Sequence, residues 1–577
     1  MNIQPRTCPE TPLADAPATY LPLTRRVLAA RGVESAAELD YSLKQLHPVQ
    51  ALSGVQAAAC LLADAVEQGQ RILVVGDYDA DGATATALCL RALRLLGHTA
   101  ADFLVPDRFK YGYGLTPEIV DLAAPYQPWL LMTVDNGVSS IEGVEAAKAA
   151  GYRTLITDHH LPGQQLPDCD VMVNPNQPGD SFPSKALAGV GVAFFVMLAL
   201  KKELASRDYF TRSALSEPNL TSLLDLVALG TVADVVPLDA NNRILVEQGL
   251  RRIRAGYGHA GVNALLAQGG KAPERVVSSD FGLCGPRLNA AGRLADMALG
   301  IRCLLTDDDW EARKLAGQLD ALNRERKRIE ADMKADAQVI IQTLVLDQQV
   351  EPPPIMCLHD AGWHEGVIGI LASRIKERYY RPVIIFADAE DGLVKGSARS
   401  IEGLHMRDLI DEVATRNPGL IRRFGGHAMA AGLTLPGTEL DHFVAEITDA
   451  VLRQLQPDTF RETVFTDGEL AAADFSLECA DQLRAVAPWG QWFPEPQFEG
   501  VFEIVKRQVL KEAHVRLELR PLAADGSPLP LIVPAIQFFA DVERWPEQGE
   551  RVYLVYKLSV NEFRGERTLQ LLVDVLV

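Results

Sequence analysis

Seven residues in the first half of the chain have the chemistry to hold metal. They are Asp77 and Asp79 in VVGDYDADG (74–82), Asp135 in TVDNG (133–137), Asp158, His159 and His160 in TDHH (157–160), and Asp234 in GTVADVVPL (230–238). Hard carboxylate oxygens mixed with imidazole suit Mg²⁺ or Mn²⁺ better than a thiolate-loving metal. Two such ions held side by side form a phosphoryl-transfer centre. DYDADG also opens like an EF-hand loop, which needs an acidic residue at its twelfth position and a helix before it. Here the twelfth position is Leu88 and a strand-like run precedes the loop, so that reading fails twice. Three acids spaced by two put Asp77 and Asp79 on one side as ligands, with Asp81 expected to cap the next helix. Asp158 is the candidate acceptor that fixes an imidazole tautomer.

A second set of residues lies further along. FGGHAMAAGL (424–433) pairs a glycine turn with His427 and a small-residue helix. KGSARS (395–400) supplies Ser397 and Arg399, and VPDRF (105–109) supplies Arg108. Arginine with serine is what a terminal phosphate requires, because the guanidinium fork binds it bidentately.

The elements that must position these residues alternate. ILVV (72–75), DFLVP (102–106), WLLMTV (129–134), TLIT (154–157) and VMVNP (171–175) read as strands, with helices near 83–96, 116–124 and 141–150 between them. Strands apolar on both faces, alternating with helices, predict a doubly wound parallel sheet. Ligands bind beyond the carboxyl ends of such strands, where Asp77, Asp135 and Asp158 fall. Residues 186–300 read as mainly helical. A helix-period pattern then runs from Asp307 without proline until Pro352, as a connector between two lobes. A smaller α/β unit follows, and five short strands after about Phe460 predict a small barrel of the OB kind. The expected divisions are an N-terminal appendage (1–50), the parallel-sheet domain (51–305), the connecting helix (306–350), the second α/β domain (351–455) and the barrel (460–577).

The 577 residues are 48% apolar and 23% charged, as in globular proteins, and too many for one core. Eight scattered cysteines with no CxxC pair exclude a zinc cluster and a disulfide framework and fit a reducing cytoplasm. The N-terminus has no apolar signal core, and the most apolar run, Ala186–Leu200, is too short to span a bilayer, so a buried helix and no membrane are expected. The net charge of −20 does not exclude a polyanionic partner, since basic residues cluster at Arg251, Arg252 and Arg254, at 324–328, at Arg422 and Arg423, and at 506–511.

Together with GPRLNAAGRL (285–294) and WHEGVIGI (363–370), these motifs resemble the DHH phosphoesterases with a DHHA1 second domain, and among them the bacterial RecJ exonucleases. The resemblance runs in order from about Leu52 to the C-terminus. It implies a 5′→3′ exonuclease that degrades single-stranded DNA to mononucleotides by two-metal-ion hydrolysis, in DNA repair and recombination. It implies Asp77, Asp79, Asp135, His159 and Asp234 as ligands of two Mg²⁺ or Mn²⁺ ions, with Asp135 bridging and His160 close by. It implies that Arg108, Ser397 and Arg399 hold the 5′ phosphate, and that Arg287, Arg293 and His427 lie near the DNA. The implied partners are a single-stranded-DNA-binding protein and a RecQ-type helicase, and a monomer is expected. One position departs from many relatives, which carry a histidine two residues before Asp77, where this chain has Val75. A phosphodiesterase for short oligonucleotides or a manganese pyrophosphatase shares the site logic, but is shorter and lacks the barrel.

Overall fold

The computed structural model describes the chain apart from residues 10–11, 108–109, 347–351, 457, 512, 524 and 564. It divides into two compact units. The larger comprises residues 4–292, 296–320 and 465–577, and the smaller comprises 1–3, 293–295 and 321–464.

The larger unit is built on a five-stranded parallel sheet in the order Ala101–Leu104, Ile72–Gly76, Leu130–Val134, Arg153–Thr157, Val171–Val173. Every residue of Ile72–Gly76 and Leu130–Val134 is buried, which is why these strands are apolar on both faces. The first strand lies between the second and the third, so the chain leaves the first strand toward one edge and the third toward the other. That switch point opens a crevice at the strands' carboxyl ends, and Asp77 and Asp135 follow the two strands that flank it. Helices Gly189–Ser206 and Leu224–Ala233, apolar nearly all round, are buried. Among the described residues no single helix is long and apolar enough to cross a membrane.

The same unit holds a closed five-stranded barrel, in the order Phe498–Leu510, His514–Pro521, Val533–Gln537, Glu566–Leu576, Arg551–Phe563. Part of the expected N-terminal appendage (1–50) is packed into the larger unit. Val27 and Leu28 of helix Pro22–Ala29 are fully buried. Arg31 pairs with Asp467 at 2.7 Å, both side chains being 1% exposed, and its guanidinium lies over Trp489.

Helix Asp309–Leu346 is 38 residues long, about 57 Å at 1.5 Å per residue. In the smaller unit the sheet order is Arg423–Gly426, Ala430–Pro436, Leu393–Arg399, Val383–Asp388, Met356–His359, and only the last two strands are parallel. The small-residue helix expected in FGGHAMAAGL is instead two antiparallel strands. His427 sits at their turn, its N–H donating to Ala430 O. Glycine and alanine leave little side chain to decide the matter, and backbone pairing of Ala430–Pro436 with Leu393–Arg399 makes the segment a strand.

Candidate metal centre

Strand ends, not one helix, assemble the acidic cluster. Asp79 is the cap of helix Ala80–Leu95, its Oδ1 accepting the N–H groups of Asp81 and Gly82 at 2.9 and 3.0 Å. Asp81, expected as that cap, does something else. Its carboxylate accepts Gly189 N–H at 2.6 Å and Val190 N–H at 2.9 Å, so it holds the start of helix Gly189–Ser206. An anion at a helix N-terminus suits the exposed amides and the dipole.

Asp135 follows its strand with φ +63°, a backbone region that side chains other than glycine seldom adopt. Four hydrogen bonds around it fix that geometry. Its N–H donates to Thr157 O at 3.0 Å, and its carbonyl accepts the Tyr113 hydroxyl at 2.9 Å. Next to it, Asn136 donates to Val75 O and Val134 O at 3.1 and 2.9 Å. Glycine is needed opposite: a Cβ on Gly189 would stand 2.6 Å from Asp135 Cβ and 2.7 Å from its Oδ1. Asp135 Oδ1 itself is buried, and among the described residues no donor makes a hydrogen bond to it.

The TDHH loop is held by residues that the motif does not contain. Asn174 and Asn176 donate to the carbonyls of His160 and His159 at 2.9 and 2.6 Å. Buried Asp158 accepts from the N–H groups of Val138, His159 and His160, and from His160 Nδ1 at 2.7 Å. It therefore plays the tautomer-fixing part expected of it, toward His160, whose lone pair is left on Nε2. His159 Nε2 lies 3.1 Å from Asp135 Oδ1 and 3.5 Å from Asp234 Oδ2. Asp234 caps the C-terminus of helix Leu224–Ala233.

Three groups of ligand atoms result, each lying within 4.8 Å of one another: Asp77, Asp79 and Asp135; Asp135, His159 and His160; Asp81, His159 and Asp234. Asp135 and His159 each belong to two groups, so the arrangement is continuous. Val75 is fully buried among Leu73, Leu115, Ile119 and other apolar side chains, so the first group has carboxylates alone.

The electrostatics fit a cation. Burial, then the neighbouring carboxylates, push Asp135 and Asp234 well above the ordinary carboxylate range. Burial and Asp79 push Asp81 up to about 7, against the two amides it accepts. Asp158 goes the other way, since bonds from His160 and backbone outweigh the burial that would raise it. Burial opposes protonation of His160, but Asp158 prevails and raises its pKa. Carboxylates this crowded stay ionised only beside positive charge.

A pH dependence follows. An acid whose folded pKa is raised stabilises the fold below its ordinary pKa, and that contribution is lost as pH climbs through the raised value. For Asp81 the window closes at about 7, so metal must displace protons below it and relieve repulsion above it. Mn²⁺ is expected to raise the melting temperature more at about pH 8 than at about pH 5.5. Equal shifts in paired thermal melts would count against protonated acids in the metal-free cluster.

The remaining expected residues fare differently. Arg287 does not face open space: its guanidinium binds Asp320 at 2.8 Å and donates to the carbonyls of Leu283 and Gln268, bracing helices. Its motif still serves the site, because Asn289 Oδ1 accepts Ala80 N–H at 2.7 Å, and a Cβ on Gly292 would strike Tyr78 O at 1.9 Å. GPRLNAAGR thus seats the DYDADG loop. Arg293 donates to Gly366 O at 3.0 Å. Arg108 lies outside the described residues.

In the smaller unit Arg399 and Ser397 come together as expected, with Arg399 Nη1 3.3 Å from Ser397 Oγ and Nε 3.2 Å from Ser373 Oγ. Gly369, at the start of helix Ile368–Tyr379, lies against both, its added Cβ falling 2.9 Å from Ser397 Oγ and 3.0 Å from Arg399 Nη2. Burial lowers the Arg399 pKa, and among the described residues no carboxylate lies within ion-pair reach of it. A half-buried guanidinium beside two hydroxyls has the chemistry to receive an anion.

Comparison with known proteins finds three family matches along the chain. The model of the DHH family, N-terminal domain, matches residues 71–231; that of the DHHA1 domain matches 336–453; that of the RecJ OB domain matches 466–574. The chain is 50% identical to a "Single-stranded-DNA-specific exonuclease RecJ" of Escherichia coli (strain K12), over 97% of this chain and 96% of that one. A protein of the same name from Haemophilus influenzae is 46% identical, over 98% and 97% of the two chains. Among solved structures, RecJ in complex with Mn²⁺ from Thermus thermophilus matches with TM-score 0.80 at 29% identity, covering 100% of this chain and 79% of that one. The same protein in complex with Mg²⁺ matches with TM-score 0.74 at 28% identity, covering 100% and 78%.

Proposed function

Since the chain belongs to the RecJ family of single-stranded-DNA-specific exonucleases, we propose that it is a metal-dependent exonuclease that shortens single-stranded DNA from the 5′ end to mononucleotides. The observation that carries the reading is the buried carboxylate–imidazole cluster at the switch point of the parallel sheet. Asp77, Asp79, Asp135, His159 and Asp234 would hold two divalent ions, Mn²⁺ or Mg²⁺, the ions named for the relatives' structures. When bound, such ions supply Lewis acidity toward the phosphoryl oxygens and the attacking water. The strained Asp135 backbone and the Gly189 wall set where its carboxylate stands. His160, oriented by Asp158, presents Nε2 as the atom that takes up or returns a proton. Nothing in the cluster requires a protein nucleophile.

Polarity would come from the anion pocket. Arg399 and Ser397 would hold the terminal 5′ phosphate, with Arg108 as a further ligand carried by the family resemblance. His427 and Arg293 would line the strand, and the barrel would add affinity for it through a groove and base stacking. A role in repair and recombination, beside a single-stranded-DNA-binding protein and a RecQ-type helicase, rests on the family alone.

The test is a comparison of substrates labelled at either end. The purified chain with Mn²⁺ is expected to degrade single strands, spare blunt duplex and pyrophosphate, and prefer a 5′-phosphate end to a 5′-hydroxyl. Arg399→Ala should lower turnover of 5′-phosphorylated strands about ten- to hundredfold, the worth of a charge-assisted hydrogen-bond pair, and erase that preference. Degradation from the 3′ end, or an undiminished 5′-phosphate preference in the variant, would overturn the assigned polarity.

A further inference from the structure

We propose that a guanidinium-lined cleft in the larger unit, sharing no residue with the metal cluster, is a track for the phosphate backbone of the single strand. The proposal rests on the nuclease reading above and adds to it a second contact for the substrate.

The cleft has a volume of about 360 Å³, and its charged walls are Arg254, Arg275, Arg484, Arg567, Asp481 and Glu562. Four cations face two carboxylates, so this one place is net positive by two in a chain whose net charge is −20. Four elements of the fold meet there. Arg254 ends helix Ala240–Arg254, and Arg275 ends the short turn Pro273–Arg275. Asp481 and Arg484 lie on helix Leu477–Ala485. Glu562 and Arg567 belong to the barrel hairpin formed by Arg551–Phe563 and Glu566–Leu576.

The ion pairing is incomplete. Glu562 pairs with both Arg275 and Arg567, and Asp481 pairs with Arg567. Arg254 reaches Glu247 at 3.3 Å and donates to Val276 O. Arg484 donates one bond, to Arg275 O at 3.0 Å, and among the described residues no carboxylate lies within ion-pair reach of its guanidinium. Exposed ion pairs of the Arg275 and Arg567 kind are worth little, so exchanging their carboxylates for an incoming anion costs little. Phosphate meets a guanidinium fork bidentately. A polyphosphate chain also releases its condensed counter-ions when several arginines neutralise it.

An acidic peptide would meet the same cations. The strand is favoured because one wall is the barrel, a fold whose face and loops bind oligonucleotides, and the same unit carries the hydrolytic cluster.

The test uses the full chain, in EDTA so that nothing is cut, with a labelled oligothymidylate of about thirty nucleotides, longer than one barrel covers. Arg275→Gln with Arg484→Gln removes two phosphate contacts, so the slope of log affinity against log salt should flatten by about 1.4. Lysine at both positions keeps the charge and should keep the parental slope, which separates loss of contact from loss of fold. Hydrolysis of a tetranucleotide in Mn²⁺ should stay at the parental rate. An unchanged slope in the glutamine pair overturns the cleft. So does polyglutamate binding that the pair loses while its DNA binding is kept, since the partner is then acidic protein. Failure of the parent chain to cut any single strand counts instead against the nuclease reading, and leaves the slope to decide the cleft.

Discussion

Asp135→Asn is expected to lower hydrolysis of single-stranded DNA by roughly three orders of magnitude, with the strand still bound. The reason is position more than charge count. Among the described residues, Asp135 alone joins the carboxylate group of Asp77 and Asp79 to the imidazole group of His159 and His160. If Asp135 holds both ions as proposed, losing that oxygen would remove transition-state stabilisation worth several kcal/mol, each 1.36 kcal/mol being tenfold in rate. Asparagine keeps the size, and the backbone bonds from Tyr113 and to Thr157 do not involve the side chain. The fold should therefore survive, and for Asp135 itself the loss of a raised acid removes repulsion from Asp81 and Asp79. Anisotropy with labelled single strands and a metal-dependent nuclease assay check both halves. Turnover within tenfold of the parent would remove Asp135 from the reaction.

Gly189→Ala is expected to do nearly as much damage without touching a charge. The methyl group would press on Asp135 Cβ, Cγ and Oδ1 at 2.6 to 2.8 Å. Neither side can yield easily. Asp135 is held by its own backbone bonds, and the Gly189 amide is held by Asp81 at 2.6 Å. Overpacking at so tight a point costs about 1–3 kcal/mol, and the same displacement moves a ligand. Mn²⁺ affinity, measured by calorimetry, should fall about ten- to hundredfold, and turnover at saturating metal should stay depressed. Alanine at Gly191, whose nearest contact would be the movable end of the Leu187 side chain at 3.1 Å, is the control and should keep metal affinity. Equal behaviour of the two variants would show that the Gly189 wall does not position Asp135.

These residues also mark how far the sequence can be read. Asp77, Asp135 and TDHH were legible because a parallel sheet puts its chemistry after its strands, and apolar runs reveal strands. Asp81 and Gly189 were not, since their meaning lies in contact across more than a hundred residues, and a third acid in DYDADG looks like a cap. Asp79 took that cap because its Oδ1 reaches two amides of the first turn. Arg287 looked like a DNA contact from its motif, and only the arrival of Asp320 from another helix shows the guanidinium engaged. FGGHAMAAGL misled for the opposite reason: its side chains are too small to carry a period, and sheet pairing decides. The polar N-terminal residues hid Val27 and Leu28, buried residues of a helix that packs on Leu477–Ala485, more than four hundred positions away.

That last contact has a consequence for how the protein is made. Arg31 and Asp467 are 436 residues apart, and the ion pair they form is dry. A ribosome adding about 5–20 residues each second takes roughly 20–90 s to cover that distance. Through that interval Arg31 has no Asp467, and helix Pro22–Ala29 has no helix Leu477–Ala485 to pack on. Newly made chains must wait for their own far end, so stalled or shortened translation products carry that surface uncovered, as substrates for chaperones and proteases.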